Sequence, residues 1–125
     1  GGAEGAPGAG GAAAGSGVSP LALRAKAGRL ARARETLAAE IAQVDDRLRV
    51  LDVSLEMWYR RLNAMRRRGL GPGAPEVREA RARVEELKAL GAVLEREAGD
   101  LERQVANAAA NLRRIEETLG KNKSD

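Results

Sequence analysis

The sequence contains no cysteine, no histidine and no phenylalanine, and it has one tryptophan and one tyrosine among its 125 residues. Without cysteine, a disulfide framework and a thiol nucleophile are excluded, and without histidine the usual zinc sites and imidazole catalysis are excluded too. The carboxylates fall on helix positions that face solvent, where no concave pocket can tune them for acid–base chemistry. We therefore expect a protein that is not an enzyme, with no catalytic residue, no metal site and no cofactor.

Long apolar runs are missing as well. The longest one falls far short of the ~18 residues that a membrane-spanning helix needs, so we expect no membrane span, and no secretory signal is visible. The net charge of +4 comes from 22 basic and 18 acidic residues and favours acidic partners only weakly. The compartment stays open, and an intracellular location, cytoplasmic or nuclear, is the one we favour.

The chain is rich in alanine, leucine, arginine and glutamate. Twenty-five of its residues are alanine and fifteen are leucine, and charged residues make up 32% of the sequence. This composition is typical of long helices and coiled coils rather than of a globular core. It predicts an all-α fold.

Glycine and proline divide the chain into segments. Eight glycines and six alanines fall within residues 1–17, and we interpret residues 1–18 as a flexible Gly/Ala-rich tail. Ser19 and Pro20 form a helix start, because serine caps helices and proline is tolerated at the first helical position. A Gly/Pro-rich stretch then ends this helix, and Pro75 starts the next one. The predicted segments are a helix over 19–68, a loop over 69–74, a helix over 75–119 and a polar tail over 120–125.

Both helices carry an apolar heptad repeat. In the first, spacings of four and three residues alternate from Leu23 to Met65, and Arg34 is the only one of thirteen seam positions that is not apolar. In the second, the same spacing begins at Val77, and only Gly91 lacks an apolar side chain. When the chain folds back at the loop, the residue numbers in facing positions keep a constant sum along the whole seam. The sequence therefore predicts an antiparallel two-helix coiled-coil hairpin.

Side-chain sizes complement each other across this seam. Leu51 faces Gly91, and Arg34 faces the small Ala108, where its stem can lie along the seam while its head reaches water. Charges beside the seam add four attractive pairs and two repulsive ones, each contributing about 0.2–0.5 kcal/mol, so the apolar seam sets the register. The attractive pairs are Arg68–Glu76, Arg47–Glu97, Asp52–Lys88 and Arg24–Glu116, and the repulsive pairs are Arg61–Arg83 and Asp45–Glu95.

A lone hairpin of this kind has a thin core. Only one stripe of each helix is buried, and many layers contain alanine or glycine. Small two-layer bodies are marginally stable on their own. We therefore expect a third or fourth helix, supplied by a protein partner or by self-association.

Two groups of residues off the seam are candidate partner-binding surfaces. Val50, Val53, Leu90 and Val93 are apolar and lie midway along the hairpin, so they predict one patch for a dimer or a partner helix; scattered surface valines are the alternative. The second is an Ala-rich helix-docking face, for which helix propensity alone is the alternative. It consists of Ala31, Ala38 and Ala109.

Arginines crowd the last turns of the first helix beside Tyr59. They are candidate anion or nucleic-acid contacts, because arginines hold phosphates and a nearby aromatic ring can stack on a base. A solvated face that complements the helix dipole is the alternative, and it is the one we favour. These residues are Arg60, Arg61, Arg66, Arg67 and Arg68.

Three functions are compatible with this architecture. The first, which we favour, is a non-enzymatic coiled-coil interaction or scaffold protein that forms a subunit of a larger helical assembly. The second is a basic helical hairpin arm that binds RNA or DNA through its Arg-rich tip, in the manner of the helical arms of some aminoacyl-tRNA synthetases. The third is a chaperone or export-stalk-like hairpin. The likenesses behind the last two are of shape alone.

Overall fold

Two long helices make up the described part of the protein. The computed structural model describes residues 18–124, with side chains through residue 121. Helix α1 spans Pro20–Arg67 and helix α2 spans Pro75–Ser124. The two helices pack against each other, and the described range contains no strand, so the predicted antiparallel hairpin is confirmed. Residues 1–17, which make up nearly all of the predicted tail, lie outside the described residues.

The described residues belong to two compact units. The loop unit comprises residues 37–104, and the terminal unit comprises residues 18–36 together with residues 105–124. The predicted apolar patch and the Arg-rich tip both belong to the loop unit.

The first turn of α1 is capped as the sequence predicts. The Ala22 N–H donates a hydrogen bond to Ser19 Oγ over 3.0 Å, and Pro20 is the first helical residue. Serine at this position satisfies one of the backbone N–H groups that a helix start leaves without a partner, and proline has no N–H to satisfy. The predicted start is therefore confirmed to within one residue.

Helix α1 ends at a left-handed glycine. Gly69 has a φ of 85°, and its N–H donates to the Arg66 carbonyl over 2.9 Å. The Leu70 N–H donates to the Met65 carbonyl over 3.0 Å, and both side chains pack against the same core cluster. This pair of hydrogen bonds with its apolar contact is a Schellman cap, which satisfies carbonyls that would otherwise have no partner.

Replacing Gly69 by alanine is expected to lower the free energy of unfolding by about 1–2 kcal/mol, because a Cβ is strained in the left-handed region. The matched control is Gly73→Ala, since no atom lies within 4 Å of the Cβ position there and Gly73 does not have a positive φ. That variant should be neutral or stabilising by about 0.4–1 kcal/mol. Urea unfolding followed by circular dichroism measures both, and equal effects would contradict the cap.

Helix α2 begins as predicted but ends later. Pro75 is its first residue, and Glu76 lies in the first turn. The predicted end at residue 119, with Gly120 as the stop and a polar tail over 120–125, is wrong, because α2 continues to Ser124. Glycine stops a helix when it adopts a positive φ, and Gly69 is the only glycine of the described residues that does so. In a helical conformation a glycine costs only ~1 kcal/mol relative to alanine.

The core of the loop unit is the predicted seam. Its buried side chains form two clusters, and both helices contribute to each of them. A Cβ at Gly91 would lie 3.4 Å from Leu51 Cδ2, so these two residues face each other in the predicted layer. Leu55 and Trp58 pack against both clusters and join them. The buried apolar residues of this unit all occupy seam positions: Val44, Leu51, Leu62, Val77, Ala80, Val84, Leu87, Leu94 and Leu101.

The Gly91 layer has room for little more than a methyl group. Gly91→Leu is expected to lower the free energy of unfolding by about 1–3 kcal/mol, because the new side chain would be forced against Leu51. The matched control is Gly99→Leu, where the Cβ would meet only the flexible end of Arg103, at 3.8 Å. This second variant should be stabilising, since leucine favours helices more than glycine does. Stabilisation by both variants in urea unfolding would place Gly91 at the surface and contradict the layer.

The terminal unit buries its seam mainly from α2. Arg34, the one seam position of α1 that is not apolar, is exposed, as expected for a guanidinium that reaches water. The facing α1 positions Leu23, Ala27 and Leu30 are half-buried. The buried residues among those described here are Ala108, Leu112 and Ile115.

Most of the ion pairs among the described residues lie within one helix. Arg68 and Glu76 form the one ion pair between α1 and α2 among residues 18–121, with Nη2 and Oε2 3.5 Å apart. The other three predicted cross-seam pairs are wrong for these residues, and Lys88, for example, lies 3.5 Å from Glu85 Oε2 instead of pairing with Asp52. A partner one helical turn away is already within reach, so an exposed side chain gains little by stretching across the seam.

Candidate interaction surface

An exposed apolar patch lies on one side of the loop unit. Val50 and Val53 of α1 are 67% and 68% exposed, and Leu90 and Val93 of α2 are each 49% exposed. Heptad positions c and g of two antiparallel helices flank the same side of the seam, and Val50, Leu90 and Val93 occupy such positions. Val50 and Leu90 also line the same groove between the helices. Their role in binding a partner stays a prediction.

The groove is shallow and has an apolar floor. Its volume is ≈ 490 Å³, and the seam residues Leu51, Leu87 and Leu94 line it from below. Ser54, which is small and half-buried, lines the α1 side across from Leu90. A groove of this kind can accept the apolar side chains of another helix.

Met57 extends the patch along α1, and the sequence analysis did not include it. It is 42% exposed and lines a neighbouring hollow together with Val53. The signal was present, because Met57 lies one heptad after Val50 and therefore on the same side of the helix. Methionine adapts its shape to varied surfaces and is common in interfaces. The apolar face of the loop unit thus consists of Val50, Val53, Met57, Leu90 and Val93.

Charges border the apolar face unevenly. On the loop side, Arg61 and Arg83 occupy the g positions that flank the seam. Farther from the loop, on the same side of the seam, the border residues are the carboxylates of Glu40, Glu97 and Asp100. All five are exposed. Glu76, Glu79 and Glu86 line a hollow near the loop together with Arg83, so this border carries charges of both signs.

Several of the border charges have partners of opposite sign nearby, and Asp100 is in contact with Arg103. Glu86 lies on the loop side, but its Oε2 is 3.5 Å from Arg83 Nη1, so each partly neutralises the other. Arg47 lies away from the loop and lines the groove together with Asp46. The Arg61 guanidinium lies 4.7 Å from the centre of the Trp58 ring, which keeps it beside the face.

The residues of the predicted Ala-rich docking face lie in both units. Ala31 and Ala109 belong to the terminal unit and are half-buried. Ala38 belongs to the loop unit and is exposed. Small side chains permit close approach of another helix but do not by themselves identify a ligand, so this face stays a prediction.

Three of the five arginines at the predicted tip have a partner within the chain. Arg60 Nη2 lies 2.7 Å from Glu56 Oε1, Arg68 pairs with Glu76, and Arg61 stacks on Trp58. The remaining two, Arg66 and Arg67, are exposed. Most of the positive charge that the sequence places at the tip is therefore engaged locally.

Arg66 also borders a second groove, on the side of the loop unit away from the apolar face. Tyr59 and Asn63 line it from α1, and Arg81 and Lys88 line it from α2. Lys88 is in contact with Glu85, which lines the same groove. Charged side chains and the seam residues Leu62 and Val84 line this groove, and its basic groups are the ones best placed to meet an anion.

Within residues 18–121, the structure gives no indication of a membrane-spanning segment or of a metal site. Neither α1 nor α2 has an apolar stretch sufficient to cross a bilayer in the part that the structure describes. The described carboxylates do not gather in groups of three or more that could hold a metal ion.

The fold and its surface together define a class of protein: an antiparallel helical hairpin with one exposed apolar face of mixed charge at its borders. No family model, no curated protein and no solved structure matches the chain. The function must therefore be inferred from this surface.

Proposed function

We propose that the protein is a non-enzymatic interaction element that forms part of a helical assembly, and that it docks other helices on the apolar face of the loop unit. The observation that supports this proposal most strongly is the exposure of Val50, Val53 and Leu90 beside a groove that leads down to the core. Large side chains left in water at neighbouring positions are typical of binding surfaces. Isolated exposed valines would not share a groove with the seam.

The thin core supports the same proposal. Apart from Gly91, the buried residues are all apolar seam residues, and two of them, Ala80 and Ala108, contribute only a methyl group each. Each additional helix on the apolar face would bury further apolar area, and burial stabilises by about 25 cal/mol for each Å² removed from water. A docked helix would therefore stabilise the hairpin as well as connect it to its assembly.

The experiment that tests this proposal is site-specific photo-crosslinking. A benzophenone amino acid replaces Val50 in the full chain, which is expressed in the cells that normally make it, and the crosslinked peptides are identified by mass spectrometry. We expect a discrete crosslink to a helical segment, whether from this chain or from another protein. The matched control carries the same amino acid at Arg96, an exposed position on the outer side of α2.

A crosslink at Val50 that is absent at Arg96 would support the proposal. Identical products at both positions, or none at Val50, would contradict it, because the apolar face would then contact nothing that the rest of the surface does not.

Binding of nucleic acid by the tip is the second candidate, and the exposed Arg66 with its neighbouring basic groove is the observation in its favour. Reversing Arg66 and Arg67 to glutamate should then weaken RNA binding and reduce the salt slope by about 2, one unit for each lost phosphate contact. We expect no such change, because three of the five tip arginines already have partners in the chain and only Arg66 and Arg67 are left to meet a phosphate.

Fluorescence anisotropy with a labelled RNA duplex over a range of salt concentrations measures this effect. The matched control reverses Arg96 and Arg113, which are exposed and lie outside the tip. A loss of affinity specific to the Arg66/Arg67 variant would favour the nucleic-acid arm over the interaction element.

A further inference from the structure

We infer that the terminal unit opens and closes as a cooperative unit of its own while the loop unit stays folded. In the open state the α1 and α2 segments of the terminal unit separate, and the apolar residues between them become exposed to water. Proteins commonly open in parts whose stability lies below that of the whole. This conformational device goes beyond the proposed function, because it concerns the unit that does not carry the apolar face.

The α1 side of the terminal unit contributes little to the seam. Within residues 18–36 no seam residue of α1 is buried, since Leu23, Ala27 and Leu30 are half-buried and Arg34 is exposed. Less apolar area is therefore removed from water when this unit closes, and closing is correspondingly less favourable. In the loop unit, by contrast, α1 buries three side chains: Val44, Leu51 and Leu62.

The weakest layer of the terminal unit is the one that contains Arg34. In the register of the seam Arg34 faces the buried Ala108, and its exposed side chain contributes only its stem to the contact. The loop unit contains an apolar layer of the same kind, in which Leu62 faces Ala80 and the two residues are 5% and 1% exposed. A leucine thus fits opposite an alanine in this seam, and Arg34 gives up that burial at the end of the terminal unit nearest the loop.

The two segments of the terminal unit also have fewer links between them. In the loop unit the chain itself connects α1 to α2, and the ion pair of Arg68 with Glu76 is the one that joins the helices among residues 18–121. Both core clusters described above consist of residues of the loop unit. Separation of the terminal segments therefore leaves the loop, its ion pair and both clusters in place.

Thiol labelling at buried seam positions of the full chain tests the inference, because the chain contains no cysteine of its own. Leu112 and Leu94 are 8% and 7% exposed and each faces a leucine in the seam, so Leu112→Cys and Leu94→Cys are matched reporters of the two units. A buried cysteine reacts only when the unit that contains it opens. We expect a thiol reagent to label Leu112→Cys at least about tenfold faster than Leu94→Cys, since the terminal unit buries less apolar area.

The urea dependence of labelling distinguishes opening of the whole unit from gradual fraying of the chain ends. Ala108 and Ile115 are 7% and 6% exposed and lie on either side of Leu112 along the seam. For a cooperative opening, Ala108→Cys, Leu112→Cys and Ile115→Cys should share one urea slope, because the slope reports the surface that opening exposes. A slope that decreases steadily toward Ile115 would mean fraying and would overturn the inference.

Repair of the weak layer provides the second test. Arg34→Leu should slow the labelling of Leu112→Cys by about tenfold, because a leucine opposite Ala108 buries apolar area that opening must expose. It should leave the labelling of Leu94→Cys unchanged. The matched control is Arg32→Leu, which makes the same change at an exposed position off the seam and should alter neither rate.

Faster labelling in the terminal unit, one urea slope and the slowing by Arg34→Leu together support the inference. Equal labelling rates of Leu112→Cys and Leu94→Cys would overturn it, because the hairpin would then open only as a whole. A rate at Leu112→Cys that ignores Arg34→Leu would overturn it too, since fraying from the chain ends exposes Leu112 without breaking the Arg34 layer.

Discussion

Replacing Leu94 by aspartate is expected to unfold the hairpin. Leu94 is only 7% exposed and belongs to the larger core cluster, where it packs with Leu51, Leu87 and Leu101. Removing a buried leucine costs about 2–5 kcal/mol, and the new carboxylate would also lose its hydration at a site without a charged partner. A small two-layer core rarely supplies more than about 3–5 kcal/mol in total. Helicity measured by circular dichroism at about 25 °C should fall sharply relative to that of the wild-type chain.

The matched control is Leu90→Asp, four residues earlier on the same helix. Leu90 is 49% exposed, so its replacement should leave the helicity and the free energy of unfolding of the monomer almost unchanged. The same variant should weaken the docking of another helix, because it places a carboxylate on the apolar face beside the groove. If Leu90→Asp unfolded the chain as thoroughly as Leu94→Asp did, the assignment of the buried face of α2 would be wrong.

Replacing Trp58 by alanine is expected to lower the free energy of unfolding by about 3 kcal/mol or more. Trp58 is half-buried and packs against both core clusters of the loop unit, so its loss weakens the two clusters together. The Arg61 guanidinium, 4.7 Å from the ring centre, would lose its stacking partner as well. Because Trp58 is the only tryptophan, unfolding in urea must be followed by circular dichroism rather than by fluorescence.

Tyr59→Ala provides the comparison, since Tyr59 is the adjacent residue and is 45% exposed. Its side chain lines the groove beside Arg66 rather than the seam, so we expect a loss below about 1 kcal/mol. A larger loss at Tyr59 than at Trp58 would mean that α1 is rotated by about 100° from the assigned orientation.

The fold could be predicted in detail because three independent signals agree. The heptad repeat identifies the face of each helix, the Gly69 and Pro75 punctuation identifies the loop, and the size match of Leu51 with Gly91 identifies the register. Each signal is a direct consequence of local sterics or of apolar burial, and these are set by neighbouring residues. The 3.4 Å approach of a Gly91 Cβ to Leu51 shows how closely the register was anticipated.

The end of α2 and the cross-seam ion pairs could not be predicted in the same way. Glycine is a common helix stop, and the sequence predicts a stop at Gly120. A glycine ends a helix only when its backbone is left-handed, and the sequence alone does not say whether that conformation forms. Lys88 had candidate partners both across the seam and one turn earlier. The free energies of these two exposed ion pairs differ by about 0.5 kcal/mol at most. Differences of that size are decided by rotamers and not by the pattern of residue types.

The candidate surface could be predicted in part. The sequence singled out Val50 and Leu90 because they interrupt the polar side of an otherwise regular repeat, and the structure gives them a common groove. Met57 was missed although it lies one heptad after Val50, because the sequence alone does not give its exposure. The partner itself cannot follow from the repeat, since the seam determines only how the chain packs against itself.

Spin-label distances within one chain show whether α1 and α2 face each other in one antiparallel register. One label is fixed at Arg60 and the second is placed in turn at Ala82, Ala89 and Arg96, which lie one heptad apart on the outer side of α2. Dilution with unlabelled chain suppresses distances between separate copies. The account predicts the shortest distance at Ala82, with an axial offset of ~21 Å by Arg96. A minimum at Ala89 or Arg96 would contradict the register, and an Arg60–Arg96 separation of ~54 Å, as in one continuous helix, would contradict the hairpin itself.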